Sequence, residues 1–198
     1  KRRENRKGHP IFNMRRNHLT SLLLFFAVLS LSQFAWSQTT LQNLKGEQVS
    51  IFNDKQPDYA VLIFMLPDCP ACQAYTQQLS ELKKKHRRFN FIGVFAGRYS
   101  KQDEMQEFAS TYHPDFLLTV DQQHSFIKKL GVTVAPQAVI IDKQFRILYS
   151  GRIDDWMYAI GKKRTLVRQH DLQQAIEEIE KGKVVTISKT SPIGCIIE

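Results

Sequence analysis

The residues with the most chemistry to offer are three cysteines, two of them three apart in FMLPDCPACQAY, residues 64–75. Two thiols at this spacing can close a reversible disulfide, share a metal ion with further ligands, or form a structural crosslink. Zinc takes four ligands, usually from two short-spaced motifs. No second Cys-x-x-Cys and no His-x-x-x-His occurs, so only Cys195 and scattered histidines remain to complete a metal set. A crosslink closing so small a loop would remove little entropy from the unfolded chain. The spacing of Cys69 and Cys72 therefore favours a redox couple.

That couple needs elements to position it. YAVLIFML, Tyr59 to Leu66, is a near-continuous apolar run between Pro57 and Pro67, as expected of a strand buried on both faces. After the cysteines, Tyr75, Leu79 and Leu82 recur at helical spacing, and KKKHRR closes the helix with charges that suit its C-terminal dipole. Cys69 would then cap the helix, where unpaired N–H groups and the dipole favour a thiolate. Pro70 suits the first turn, because its missing N–H would have had no partner there. Cys72 follows one turn on, close enough to resolve a mixed disulfide formed at Cys69.

The remaining segments alternate. LQNLKGEQVSIFN predicts a β-hairpin turning at Lys45-Gly46, and FNFIGVFAG the next strand. Met105, Phe108, Ala109 and Tyr112 define one face of a helix that Pro114 stops. FLLTV is a strand and QQHSFIKKL a short helix ended by Gly131. PQAVIID and RILYSGRI read as an antiparallel pair around Lys143-Gln144. The last helix faces Leu172, Ala175, Ile176 and Ile179 inward and ends at Gly182. Strands alternating with helices, then a hairpin, predict a three-layer α/β domain with a central mixed sheet.

The pairing of CPAC after VLIFML with GVTVAP before the strand QAVIID resembles the thioredoxin-like redoxins, especially their exported TlpA-like branch. The resemblance spans about Leu41 to Gly182. It implies a thioredoxin-like fold and thiol–disulfide oxidoreductase activity, with Cys69 and Cys72 as the catalytic pair and no cofactor or metal. It further implies a cis Pro136 beside the disulfide, with Ala135 offering backbone hydrogen bonds to a partner chain and Pro70 on the same surface. Residues 89–132 resemble the insertion that separates redoxins from minimal thioredoxin. Residues 151–185, followed by SPIGC, are similar to the end of one redoxin subgroup, a tail to which the resemblance assigns no role. Two departures stand out. Pro67-Asp68 replace the usual tryptophan before the first cysteine, and YAVLIFML lacks the buried acid that assists proton transfer in many relatives.

Two other chemistries use the same fold. A peroxiredoxin needs Pro-x-x-x-Thr-x-x-Cys, but Leu62 and Leu66 occupy the proline and threonine positions relative to Cys69. A copper carrier of the Sco type uses two cysteines and a distant histidine. Here His124 is the candidate third ligand, although Sco cysteines have three residues between them where this pair has two, and a histidine in DQQHSF reads as facing solvent. Arg152, Asp154, Asp155 and Trp156 read as a solvated loop or part of a substrate surface. Cys195 reads as a free end, an intermolecular partner or a further redox relay.

The formal net charge of +9 does not point to nucleic acid. Seven Lys/Arg and one Asp/Glu fall in residues 1–37, so six of the nine charges belong to that leader. Residues 14–37 carry two arginines, an apolar run from Leu19 to about Leu31, and Ala35-Trp36-Ser37, the pattern of a secretory signal peptide. Residues 1–13 read as an overextended gene start or a cloning remnant, 38–182 as the redoxin domain and 183–198 as a C-terminal tail. The expected location is periplasmic or otherwise extracytoplasmic, tethered to a membrane only through an uncleaved leader. The expected partners are exported thiol or disulfide proteins and a membrane thiol electron donor. Reduction of partner disulfides is the expected direction, with oxidation the alternative.

Overall fold

The computed structural model describes residues 40–52, 58–97 and 100–197, and the leader expectations for 1–13 and 14–37 fall outside them. The chain runs β1 (Thr40–Asn43), β2 (Gln48–Ser50), β3 (Tyr59–Met65), α1 (Pro70–Lys85), β4 (Phe89–Ala96), α2 (Gln102–Tyr112), β5 (Leu117–Asp121) and α3 (Ser125–Leu130). It continues through β6 (Val134–Ala135), β7 (Gln137–Asp142), β8 (Ile147–Gly151), β9 (Met157–Ala159), β10 (Lys162–Lys163), α4 (Asp171–Glu180) and β11 (Cys195–Ile196). Seven strands form one sheet in the order β2-β1-β5-β4-β3-β7-β8.

The central strand shows why the sheet has two covered faces. Side chains alternate along a strand, so Val61, Ile63 and Met65 of β3 join one core while Ala60, Leu62 and Phe64 join the other. The first core receives Tyr75 and Leu79 of α1, Met105 and Phe108 of α2, and Leu172 and Ile176 of α4. The second receives Phe126, Ile127 and Leu130 of α3, with Leu41 and Ile51. β3 runs parallel to β4, from Tyr59↔Phe89 to Met65↔Phe95, and antiparallel to β7, from Tyr59↔Asp142 to Phe64↔Gln137. This mixed sheet between helices is the thioredoxin-like arrangement, and residues 89–132, expected as the redoxin-type insertion, fold as β4, α2, β5 and α3.

Local chemistry sets the element boundaries. The β1–β2 turn uses Gly46 at φ +89°, while the Asn43 side-chain oxygen accepts hydrogen bonds from the backbone N–H of Lys45 and of Glu47, each 2.9 Å. Asp121 caps α3: its two oxygens accept from the N–H groups of Ser125 and Ile127, both at 2.9 Å. No helix among the described residues is long and apolar enough to cross a membrane.

The sequence reading did not foresee the course of the tail. The Ser150 N–H donates to the Ser188 carbonyl at 2.9 Å, and the Thr190 N–H donates to the Ser150 carbonyl at 3.1 Å. Gly151 makes this docking possible, since a Cβ there would lie 2.0 Å from Thr190 Oγ1. The chain then crosses to β6, where β11 pairs antiparallel, Cys195 opposite Ala135 and Ile196 opposite Val134.

Candidate active site

The turn after β3 delivers Cys69 to the start of α1. The Cys69 N–H donates to the Leu66 carbonyl at 3.3 Å, and the Cys69 carbonyl accepts the first helical bond from the Gln73 N–H at 3.1 Å. Cys69 itself is extended, with φ −80° and ψ 114°, and Pro70 opens the helix behind it. Its sulfur therefore sits at the end of α1 where the dipole favours negative charge. Asp68 next to it is exposed.

Cys72 lies one turn further in and is fully buried. Burial pushes its thiol up from 9.0 to about 12, with the charge of Asp68 adding to the rise. At neutral pH this sulfur is a protonated thiol in the apolar layer under Cys69.

The bonded partner of Cys69 is Cys195, 126 residues away, with an S–S distance of 2.15 Å and Cα atoms 6.1 Å apart. Cys72 is free. The expected Cys69–Cys72 disulfide is thus not the one present in this state, because the tail brings a third thiol to Cys69. One signal in the sequence pointed to such a strand: the β-branched run around Cys195 in Ile193-Gly194-Cys195-Ile196-Ile197.

The other predicted site residues converge on the same point. The Ala135–Pro136 peptide bond is cis, and both residues are buried. Cys69 Sγ lies 3.5 Å from the Ala135 carbonyl oxygen. In the disulfide this is a contact without a proton, whereas a reduced Cys69 could donate to that oxygen. Pro70 stays exposed at the first turn of α1.

Two expectations need correction. His124 does not face solvent: it is 4% exposed, in a left-handed conformation at φ 55° just before α3. Among the described residues no three His, Cys, Asp or Glu side chains are grouped as a metal ion would need. Residues 152–156 are not a solvated loop either. Asp154 accepts hydrogen bonds from the Tyr75 hydroxyl at 2.5 Å, the Gln78 amide at 2.9 Å and the Trp156 N–H at 2.9 Å. Asp155 accepts from the N–H groups of Arg168 and Gln169 and pairs with Arg164 at 3.2 Å, while Arg152 pairs with Asp171 at 2.8 Å. Asp154 fastens this segment to α1, while Asp155 and Asp171 tie residues 152–171 to one another, and periodicity gave no hint of the first because Tyr75 and Gln78 lie 79 and 76 residues away in sequence.

The redoxin family model matches residues 33–156, which include Cys69, Cys72 and Pro136 and exclude Cys195. None of the curated proteins matches the sequence. Among solved structures, an uncharacterized conserved protein from Geobacillus kaustophilus has a TM-score of 0.67 at 19% identity, over 80% of this chain and 87% of its own. A thioredoxin-like protein from Aeropyrum pernix has a TM-score of 0.54 at 20% identity, over 84% and 99%. MTB DsbF, solved in mixed oxidized and reduced forms, has a TM-score of 0.54 at 22% identity, over 72% and 95%. These likenesses establish the fold. With the family model spanning more than half of its length and its cysteines at the head of α1, the chain belongs to the redoxin family and is a thioredoxin-like oxidoreductase.

Proposed function

We propose that this protein is an exported thiol–disulfide oxidoreductase in which Cys69 is the nucleophile and Cys72 the resolving thiol. The observation that supports this most is the position of Cys69, which caps α1, is engaged in a disulfide and touches the Ala135 carbonyl next to the cis proline. Ala135 and Pro136, with Pro70 at the exposed first turn of α1, form the surface for a partner chain. Export rests on the leader pattern of residues 14–37.

In the forward reaction the Cys69 thiolate attacks one sulfur of a partner's disulfide, and the other partner sulfur leaves with the electron pair. Cys72 then loses its proton and attacks Cys69 Sγ. A Cys69–Cys72 disulfide forms, the bond to the partner breaks, and the partner's second sulfur leaves as a thiolate. Two electrons have passed from the Cys69/Cys72 dithiol to the partner, which takes up two protons. A membrane thiol donor returns the pair to the dithiol.

The test is a redox titration of the full chain and of its Cys195→Ser variant in glutathione buffers, with thiols counted and disulfides mapped. A reversible Cys69–Cys72 couple in the variant is the expected result. A midpoint near thioredoxin's, about −270 mV, would make the protein a reductant, and one near DsbA's, about −120 mV, an oxidant. A variant that forms no reversible disulfide on Cys69 would remove this function.

A further inference from the structure

β6 has one partner strand among the described residues, and that partner is β11 of the same chain. An unpaired strand edge is a template for another chain. Here the template is filled by a segment that also delivers a cysteine to Cys69. The Ile197 N–H donates to the Thr133 carbonyl at 2.9 Å, extending the β6–β11 pairing by one residue. Upstream, Thr190 Oγ1 accepts from the Arg152 N–H at 3.0 Å and lies 2.8 Å from the Tyr149 hydroxyl, an anchor five residues before the disulfide. Downstream, Ile196 and Ile197 border a cleft of about 190 Å³ whose other wall includes Leu66, Pro67 and Asp68, the turn that presents Cys69.

Gly194 fixes how the segment sits. Its φ is not positive, so turn geometry does not explain it. The reason is the approach to β6: a Cβ at this position would lie 2.0 Å from the Ala135 carbonyl oxygen and 2.7 Å from its carbon. Backbone atoms cannot give way as a flexible side chain would. A chain that brings a cysteine opposite Ala135 in this register therefore needs glycine just before it.

We propose that the C-terminal segment is a tethered substrate: it occupies on β6 the place of a partner's extended cysteine segment, and Cys195 is a third redox-active residue whose bond to Cys69 closes the site. This rests on Cys69 being the nucleophile, as proposed above. It also defines the partner: an extended chain lying antiparallel to β6 with Gly-Cys followed by an apolar residue. A tethered segment acts at an effective concentration of the order of mM, so a free partner at micromolar levels cannot displace it while the disulfide stands.

Opening is an exchange with a dithiol reductant. Cys69 is 1% exposed while Cys195 is only partly buried, so the reductant approaches from the side of Cys195. One thiolate of the reductant attacks Cys195 Sγ; the Cys69–Cys195 bond breaks, and Cys69 leaves with the electron pair at the helix terminus that stabilises it. The second thiol of the reductant then displaces Cys195. The reductant departs as a disulfide, leaving Cys69 and Cys195 reduced and β6 free to take another chain.

The experiment uses the full chain and two peptides of residues 191–198, one native and one carrying Gly194→Val, each as its homodimeric disulfide. Oxidised glutathione serves as a probe without a strand. The reduced Cys195→Ser chain is expected to attack the native peptide about tenfold or more faster than the valine peptide, the factor expected of a clash costing upward of 1.4 kcal/mol. The oxidised wild-type chain is expected to react with neither, and to yield a Cys69–Cys195 linked fragment on non-reducing digestion. Equal rates for the two peptides, or a wild-type chain that holds only Cys69–Cys72, would overturn the tether while leaving the oxidoreductase reading intact. A Cys195→Ser chain inert toward glutathione as well would remove that reading and the tether with it.

Discussion

The Tyr75 hydroxyl donates a hydrogen bond to Asp154 Oδ1 across 79 residues of sequence, at 2.5 Å and out of contact with bulk water. This bond ties the helix that carries Cys69 to the segment leading into α4. Burial is the first cause, and the Asp154 acceptor the second, of a Tyr75 ionisation pushed well above the usual phenol range. Tyr75→Phe keeps the ring, and so its edge-on contact with Trp156 at 5.4 Å, but removes the donor. A buried carboxylate left short of a donor costs about 1–3 kcal/mol. Urea unfolding of the oxidised protein should show a loss in that range, while Asp154→Ala, which orphans Tyr75, Gln78 and the Trp156 N–H together, should lose more. A Tyr75→Phe variant within about 0.5 kcal/mol of the parent, the range of an unremarkable surface change, would mean the bond contributes nothing beyond packing.

Much of the fold was legible because its signals are local. Val61, Ile63 and Met65 alternate with Leu62 and Phe64 between two cores, and a continuous apolar run between prolines says as much. Cys69 at a strand-to-helix junction followed by Pro70 was equally readable, as was the turn at Gly46. The closing disulfide was not. Its two sulfurs are 126 residues apart, and the ladder that aligns them is only two residues long. No periodicity can be read from so short a strand. The register is set instead by Thr190 against Gly151 and by Gly194 against Ala135, close approaches that exist only once the chain is folded. His124 misled for a related reason: a polar residue in a polar stretch is buried here because Asp121 caps the helix that follows and turns the chain inward.

Thr190 gives a second prediction. Thr190→Val keeps the shape but loses the oxygen that serves the Arg152 N–H and the Tyr149 hydroxyl. An unserved backbone donor costs about 1–3 kcal/mol, and 1.4 kcal/mol is tenfold in an equilibrium constant. The effective concentration of Cys195 toward Cys69, measured against glutathione in a Cys72→Ser background, should fall by about tenfold. Global stability measured with all disulfides reduced should change less than the closure equilibrium, since Thr190 lies in the tail. An unchanged closure equilibrium would show that the crossing to β6, and not the anchor on β8, positions Cys195.

The buried Cys72 sets a pH dependence that can be worked out by sign. Its thiol titrates at about 12 in the folded chain against 9.0 when unperturbed. Between those values the folded state holds a proton that the unfolded state has released, so this contribution to stability is complete below pH 9 and is lost as pH rises toward 12. The kinetic consequence is more direct. Internal exchange, in which Cys72 attacks Cys69 and expels Cys195, requires the thiolate. Below its pKa the thiolate fraction, and with it the rate, rises about tenfold per pH unit. Disulfide mapping over time in the oxidised wild-type chain should therefore show little Cys69–Cys72 at pH 7 and a steep log-linear gain in rate up to pH 10. In the same chain iodoacetamide should leave Cys72 unmodified at pH 8 and reach it once urea unfolds the protein. A rate independent of pH across that range would mean that opening of the tail, and not ionisation of Cys72, limits the exchange.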